Sequence, residues 1–594
     1  MKTNFGKNLL LLQLILMIFI VRLPAQTLQE IESHAVSLPN GWRLTPVGKM
    51  LPLGDLPLNI AVSRSKKFAA VTNNGESDQT IQLIDLEKEV ILDSIIIRKS
   101  WLGLTFSDDG KYIYASGGND NKIIRYLISN NRLSVNDSII IDKPWPEKIS
   151  VAGIALDDSK NRLYVVTKEN NSLYVLDTKI KKVISQFPLG GEGYTCLLSH
   201  DHKLLYISCW GCDKIVVFNT VEGKITGSVS VGDNPNDLCI TRNGKFLFVA
   251  NANDNSVSVI DTKQLKVIEI LNSALYADSP PGSTTNSVAL SNDEKTIFIA
   301  NADNNCLAVF DVSTPGSSKN KGFIPAAWYP TCVRVANNKI LISNGKGLSS
   351  HANPFGPNPA RKGDEVIYQA GGKERKIKEQ YIGGLFRGTL SVLNVPNTEQ
   401  LALYSKAVYN NTPYNKKTEL ISEGMNGNPV PMKVGDSSPI KYIFYIIKEN
   451  RTYDQVLGDI PEGNGDPKLV LFGENITPNQ HALAREFVLL DNFYVNGEVS
   501  ADGHNWTMGA YATDFLEKNW PTTYGGRGGE YPGEGALAIA NNKDGFFWDD
   551  CKRNGVSYRS YAEFMDGTKP AIPVLKDHFC PKFASWDLSI RDTT

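Results

Sequence analysis

The sequence predicts a mixed architecture, an all-β seven-bladed propeller followed by a partial α/β domain. Three observations lead to this fold class. A strand-turn-strand unit recurs at a regular period through the first part of the chain. From about residue 439 the pattern changes to apolar strands that alternate with helix-like segments. The 594 residues also exceed what one ordinary core accommodates, so two domains are expected.

The repeat unit is a strand, a polar turn and a second strand that ends in Asp or Asn. Three copies run over residues 163–177, 205–219 and 247–261, and their ends are 42 residues apart. A propeller blade has a period of about 40 to 50 residues. Further copies end at Asp85, near Leu127, at Asp311 and at Asn394. Seven blades stacked around a channel would bury their faces and leave no exposed sheet edge.

Residues about 40 to 420 are therefore predicted to form one propeller domain, followed by a linker at 421–438. The units resemble the YVTN family of beta-propeller repeats, most clearly over residues 248–261. This resemblance is specific for the fold and says little about function. The last blade carries an insertion at about 351–386, rich in Gly, Pro, Lys and Arg. It is either a functional loop that reaches over the second domain or a solvated excursion.

Residues 1–25 have the pattern of an export signal. Lys2 and Lys7 precede an apolar stretch from Leu9 to Val21, and Ala25 offers a small residue for cleavage. An uncleaved membrane anchor is the alternative, but so short a run spans a bilayer poorly. We therefore expect a periplasmic or secreted protein with no integral membrane span after signal cleavage.

The charge and the cysteine content limit the classes of partner and cofactor that are expected. The chain has 62 basic and 63 acidic residues, so no global field favours binding to nucleic acid. Its eight cysteines are too few for a disulfide scaffold. Asp213 stands where a c-type haem site would need His after Cys209 and Cys212. That pair is either a hairpin disulfide or two packed thiols.

The strongest chemical signal begins at a predicted strand, Tyr442–Ile447. Glu449 and Asn450 follow directly, at the edge of the predicted sheet, where α/β enzymes keep their sites. Hard oxygen donors of this kind suit a divalent cation. The alternative is structural, because acidic and amide residues after a strand often only cap a turn.

A second signal follows another strand-like run, Phe487–Leu490. Ser500 lies in a Gly-flanked turn before a helix predicted over Trp506–Phe515. Backbone N–H groups and the dipole at a helix N-terminus favour an oxyanion or phosphate there. A serine hydroxyl needs a base or a metal to become a good nucleophile. The structural alternative is an ordinary N-cap.

The run Glu449–Asp454, then Asp491–Phe493, then Ser500 with His504 four positions on, resembles the phosphoesterase family that includes bacterial phospholipases C and acid phosphatases. That family belongs to the alkaline phosphatase superfamily. The resemblance covers residues from about 440 to 594. It implies Glu449, Asn450 and Ser500 as ligands of a divalent metal ion of unknown identity. It also implies Ser500 as the nucleophile and His504 as a second catalytic residue near the substrate oxygens.

The implied function is an exported, metal-dependent hydrolase of phosphoric ester bonds, and its partner is a phosphoric ester substrate. The family's second set of metal ligands has no counterpart, because Asp577–His578 lacks an acidic cluster. Residues 439–594 thus correspond to the N-terminal half of an alkaline phosphatase-like domain, in a fragment or a truncated product. The alternative is a propeller that binds a ligand or protein partner while the incomplete esterase domain is inactive.

Overall fold

The computed structural model describes residues 27–350, 364–370, 373–379, 382–414, 420–422, 424–425, 427–583 and 585. The predicted signal peptide lies outside these residues, as do residues 351–363 of the predicted insertion. No helix in the described part of the chain is both long enough and apolar enough to cross a bilayer.

Four short elements precede the first blade. They are α1 (Leu28–Ser33), β1 (Val36–Ser37), β2 (Arg43–Leu44) and β3 (Lys49–Pro52). Helix α1 starts at a capping box in which Thr27 and Glu30 bond each other's backbone N–H groups. β1 and β2 pair as a small antiparallel hairpin.

The first six blades are four-stranded antiparallel sheets whose strands pair in chain order. They are β4–β7 (Pro57–Val62, Phe68–Asn73, Thr80–Asp85, Val90–Ile96), β8–β11 (Leu104–Phe106, Tyr112–Ser116, Lys122–Ser129, Arg132–Ile140), β12–β15 (Val151–Asp157, Arg162–Thr167, Ser172–Asp177, Lys182–Pro188), β16–β19 (Gly193–Leu198, Leu204–Cys209, Lys214–Asn219, Lys224–Ser230), β20–β23 (Pro235–Ile240, Phe246–Asn251, Ser256–Asp261, Lys266–Asn272) and β24–β27 (Thr285–Leu290, Thr296–Asn301, Cys306–Asp311, Lys319–Pro325). The first strand of each blade lies nearest the propeller axis.

Six blades end their third strand in Asp or Asn, and in five of them that side chain closes the following turn. Asp177 Oδ1 accepts hydrogen bonds from the backbone N–H groups of Lys179 and Ile180 at 2.8 and 3.0 Å. Asx side chains commonly bond the backbone two residues on in this way. Equivalent bonds form at Asp85, Asn219, Asp261 and Asp311. The recurring residue in the sequence therefore marks the turn into the outermost strand.

The seventh blade is built from both ends of the propeller. Its strands are β28 (Trp328–Ala336), β29 (Lys339–Gly347), β32 (Thr389–Asn394) and β3. β3 pairs antiparallel with β32, Lys49 opposite Val392 and Pro52 opposite Thr389. The first and last segments thus close the ring, which removes the edges that an open sheet would expose. The seven predicted blades are confirmed.

The predicted insertion contains regular structure. β30 (Asp364–Ala370) and β31 (Lys373–Glu379) form an antiparallel hairpin between β29 and β32. Part of the predicted insertion is therefore a β-hairpin. After β32, helix α2 (Thr398–Asn411) starts at a capping box formed by Asn397 and Gln400. It buries Leu401, Tyr404, Ala407 and Val408.

Most of the C-terminal region is irregular, and its regular structure consists mainly of short helices. Its elements are α3 (Tyr453–Leu457), α4 (Pro478–Glu486), α5 (Ser500–Gly509), α6 (Asp514–Tyr524), α7 (Phe547–Arg553) and the short pair β33 (Met565–Asp566) and β34 (Lys569–Pro570). The helix predicted over 506–515 is two helices, because the chain turns at Ala510, whose φ of 60° is left-handed.

The two strands predicted in this region do not form. Tyr442–Ile447 and Phe487–Leu490 are irregular, and Phe444 and Phe487 are 89% and 70% exposed. A strand requires a neighbour for its backbone N–H and C=O groups. The described part of the C-terminal region places no strand beside either run. The α/β domain is therefore not formed as a sheet here, and the limits predicted for it and for the linker remain predictions.

Helix α6 joins the C-terminal region to the propeller. Residues 514–522 are all buried, and Phe515 packs in one cluster with side chains from several blades. Asp514 Oδ2 accepts a hydrogen bond from Trp210 Nε1 at 3.1 Å. Lys518 Nζ lies 2.6 Å from Asp514 Oδ1 and donates to the Tyr194 hydroxyl at 3.0 Å. Because these blade residues lie where the innermost strands begin, α6 covers that end of the propeller.

Polar contacts extend this junction. The guanidinium of Arg527 donates to the carbonyls of Glu76 and Ser77 at 2.8 and 2.6 Å. The Arg527 carbonyl accepts a hydrogen bond from Asn119 Nδ2 at 3.2 Å. The docked helix thereby fixes the position of α5, which precedes it in the chain.

Candidate functional site

Three of the predicted site residues meet at the start of α5. Ser500 is the first residue of this helix, and its hydroxyl donates a hydrogen bond to Glu449 Oε2 at 2.9 Å. His504 lies one turn later on the same helix face, because residues four apart are neighbours. Its Nε2 is 3.3 Å from Glu449 Oε1. Residues about 50 positions apart in sequence are thus brought into contact.

The turn before Ser500 is held by the Asp502 side chain. Its two carboxylate oxygens accept hydrogen bonds from the backbone N–H groups of Glu498 and Val499, at 3.0 and 2.9 Å. The N–H of Ala501 donates to the Tyr524 hydroxyl on α6 at 3.2 Å. These bonds satisfy backbone groups that would otherwise lack partners at a helix start, and they fix the Ser500 backbone.

The fourth predicted residue is not brought into the cluster. Asn450 is exposed, and in the part of the chain that is described its side chain makes no hydrogen bond. Its carbonyl accepts one from Arg451 Nη1 at 3.3 Å. Asn450 therefore neighbours Glu449 in sequence only, and its role as a metal ligand remains a prediction.

Two glutamates complete the site and were missed from the sequence. Glu563 Oε1 is 2.9 Å from His504 Nδ1. Glu534 has a carboxylate oxygen within 4.8 Å of the donor atoms of both. The Tyr531 hydroxyl donates to Glu534 Oε2 at 3.0 Å. His504, Glu534 and Glu563 thus present three metal-ligating groups toward one point.

The sequence carried only a weak signal for these two residues. Glu563 lies in the aromatic run Tyr558–Phe564, whose composition is typical of a buried segment, and Phe564 is fully buried. Glu534 lies between two glycines and has a φ of 53°. A left-handed backbone is strained for a residue with a Cβ and often occurs at functional positions. That strain is visible only in the fold.

The electrostatics of the site are dominated by acids. Burial alone would lower the pKa of His504, but the hydrogen bond to Glu563 and the charges of Glu563, Glu534 and Glu449 raise it to about 9. Burial raises the pKa of Glu534, against the effect of the His504 charge. With His504 protonated, three carboxylates face one cation. The cluster therefore favours additional positive charge.

The arrangement can hold a serine hydroxyl, a protonated imidazole and a cation together. The groups that can ligate the cation are carboxylate oxygens and a hydroxyl, hard donors suited to divalent ions such as Mn²⁺ or Ca²⁺. The Glu449 side chain is 39% exposed, whereas those of His504 and Glu563 are 9% and 17% exposed. The site is therefore open to ligands at Glu449 and closed behind His504.

Comparison with known proteins identifies the repeats. Residues 195–281 match the family described as Lactonase, 7-bladed beta-propeller. This segment lies in the fourth and fifth blades and the loop after them, and it contains none of the site residues. The number of blades in that family's description equals the number of blades in the structure.

The relatives found cover parts of the chain. Antigen Lp49 of Leptospira interrogans is 25% identical over 179 residues, 26% of this chain and 37% of that protein. The chain therefore matches little more than a third of that relative's length.

Three solved structures share part of their fold with this chain at low sequence identity. Kuenenia stuttgartiensis hydrazine synthase is 14% identical with a TM-score of 0.42, covering 49% of this chain and 93% of that chain. The RRP9 WD40 repeats and U3-55K are each 10% identical with a TM-score of 0.44, covering 58% of this chain and 97% and 98% of theirs.

Proposed function

We propose that this protein is an exported, metal-dependent hydrolase of phosphoric esters in which Ser500 is the nucleophile. The observation that carries this proposal is the meeting of Ser500 and His504 at Glu449, with Glu534 and Glu563 behind them. The phosphoesterase resemblance of the same residues supports it. The Cys209–Cys212 disulfide supports export, because such bonds persist in oxidising compartments.

The residues present fit a divalent cation. Glu449 and Ser500, with Glu534 and Glu563, would hold it while His504 stays protonated beside them, and Asn450 is the further ligand implied by the resemblance. Without such an ion, three carboxylates would repel a phosphate ester. A bound divalent ion lowers the pKa of a coordinated hydroxyl and offsets phosphate charge. Metal dependence therefore follows from the charge of this site.

The protein's own groups supply the remaining steps. Glu449 aligns the Ser500 hydroxyl and accepts its hydrogen bond. As Ser500 Oγ bonds to phosphorus, its proton passes to the carboxylate and the ester P–O bond breaks. His504, protonated below about pH 9, gives its proton to the leaving alkoxide. Water then hydrolyses the phosphoserine and releases phosphate.

The test is hydrolysis of p-nitrophenyl phosphate and of a phosphocholine ester with added Zn²⁺, Mn²⁺ or Ca²⁺. We expect activity in the unaltered protein and a loss of about 10²-fold or more in Ser500→Ala. Ser438→Ala, at an exposed serine outside the site, is the matched control. Equal activity in Ser500→Ala and Ser438→Ala would show that Ser500 is not the nucleophile.

A second candidate function is ligand binding by the propeller, and one observation favours it. The channel contains a cavity of about 540 Å³, within the range of small-molecule sites. Arg334 and Asp237 form a two-pronged ion pair in its wall, at 2.7 and 3.2 Å, and Arg334 also donates to Asn59. Calorimetric titration with metal separates the candidates. No uptake and no activity would favour binding, whereas uptake lost in Glu449→Ala would favour the enzyme.

A further inference from the structure

Three carboxylates meet where the turn before α5 contacts the propeller. Glu498 lies two residues before Ser500, Asp502 lies two residues after it, and Glu517 lies on α6. The Glu498 and Glu517 side chains are 9% and 5% exposed, and Asp502 is fully buried. One oxygen of each lies within 4.8 Å of the others. This group is separate from His504 and its glutamates.

One lysine of the propeller neutralises part of this charge. Lys346, at the end of β29, contacts Glu498 Oε1, and its Nζ lies 3.6 Å from Glu517 Oε2. It leaves three carboxylates facing one ammonium group. Buried charges require compensation by a partner or a metal.

Two observations indicate that a bound cation would compensate the carboxylate charge. Glu498 Oε2 is buried and has no hydrogen-bond partner among the described residues. A cavity of about 20 Å³ lies against Glu498, Glu517 and Lys346. Roughly 10–15 Å³ is enough for one water-sized particle. The position thus offers an unused carboxylate oxygen and room for a single ion.

The chemistry of the ligands indicates which ion would fit. Ca²⁺ takes about six to eight oxygen ligands in flexible geometry, carboxylates among them. Mg²⁺ usually keeps several waters and binds through only one or two protein carboxylates. Three buried carboxylates of the protein therefore suit Ca²⁺ better.

We propose that Glu498, Asp502 and Glu517 form a buried Ca²⁺ site at the junction of the propeller and the Ser500 turn. The site does not depend on the proposed hydrolase function. Asp502 holds the backbone of Glu498 and Val499, and Glu498 contacts Lys346. An ion bound there would fix the turn before α5 to the seventh blade.

The experiment is calorimetric titration of the full chain with Ca²⁺ alone, after treatment with EDTA. We expect Glu498→Gln and Glu517→Gln to lose about tenfold or more in affinity for one Ca²⁺. Both should fold, because glutamine keeps the shape and removes a buried charge. Ca²⁺ should raise the Tm of the unaltered chain and leave that of Glu498→Gln unchanged. Glu474→Gln, at an exposed glutamate of the same region, is the matched control.

Glu449→Gln separates this site from the candidate active site. We expect it to keep the Ca²⁺ binding event that Glu498→Gln loses. Unchanged Ca²⁺ binding in both Glu498→Gln and Glu517→Gln overturns the proposal, as does the absence of any Ca²⁺ binding in Glu449→Gln. Whether Ser500→Ala retains or loses hydrolysis has no bearing on Ca²⁺ binding at Glu498. Either proposal can therefore fail while the other stands.

Discussion

The propeller and the C-terminal region use similar apolar sequences with opposite results. Strand β22 contains Val257 and Val259, both fully buried, and its backbone pairs with β21 on one side and β23 on the other. The run Tyr442–Ile447 is at least as apolar, yet Ile443 is 77% exposed and the backbone is irregular. Both runs have the composition of a strand.

This difference shows that an apolar composition allows a segment to form a strand but does not by itself make it one. Isolated extended backbone leaves N–H and C=O groups to water and buries neither face. The repeat supplies each blade strand with neighbours a few residues away, and the last blade recruits β3 from the start of the domain. The described C-terminal region supplies none to Tyr442–Ile447. Pairing, rather than apolarity, therefore separates the two regions.

The largest expected effect contrasts one phenylalanine from each region. Phe248 is fully buried between blades, whereas Phe444 is 89% exposed. Phe248→Ala should lower the free energy of unfolding by about 3–5 kcal/mol, because it leaves a cavity. Phe444→Ala should change it by less than about 0.5 kcal/mol. Urea denaturation measures both, and a comparable loss in the two variants would show that Phe444 is packed in solution.

The next effect concerns the helix that links the regions. Lys518→Met leaves the buried Asp514 carboxylate without its partner and should cost about 3 kcal/mol or more. It should also expose the junction to limited proteolysis. Lys552→Met, at an exposed lysine of α7, is the control and should resemble the unaltered chain. Equal protease resistance in both variants would contradict the docking of α6.

A smaller effect is expected from the disulfide beside the same junction. Cys209 and Cys212 enclose Trp210, which contacts Asp514 and Phe515. A loop this short predicts a loss of about 2 kcal/mol in Cys212→Ser from chain entropy. Cys551→Ser, at a free cysteine of the C-terminal region, should have no such effect. The stability difference between Cys212→Ser and the unaltered chain should disappear under reducing conditions, and its persistence would argue against the bond as its cause.

The smallest effect is a pH dependence within the C-terminal region. His481 Nε2 is 2.8 Å from Asp459 Oδ1. Although burial opposes it, this contact raises the pKa of His481, and it lowers the pKa of Asp459. The contribution of His481 is present below its ordinary pKa of about 6.5 and is lost as the pH rises through the raised value. That of Asp459 is lost in acid, below about pH 4.

The His481→Gln variant tests this pH dependence of stability. The stability that it loses relative to the unaltered chain should be greater at about pH 6 than at about pH 9. Asp459→Asn should show the same trend, because it removes the other charge of the pair. Urea denaturation at the two pH values gives the comparison. A loss that is the same at both would mean that His481 acts through packing alone.

Sequence reasoning reached most of the propeller and part of the site. The 42-residue spacing of Asp177, Asn219 and Asp261 predicted the blades, because each side chain closes a local turn. The phosphoesterase resemblance predicted that Ser500 and His504 belong to one site, although the helix was predicted to begin only at Trp506. Glu534 and Glu563 were missed because irregular segments bring them to His504, and no local periodicity records such contacts.

The sequence by itself determined the number of blades and the order of the chemical groups. Those properties depend on turns and on hydrogen bonds between residues close in the chain. Only the tertiary structure decided that β3 closes the ring, that α6 covers one end of the propeller and that Lys346 contacts Glu498 and Glu517. These contacts join residues far apart in sequence, so their free energy arises from burial and charge pairing in the folded state.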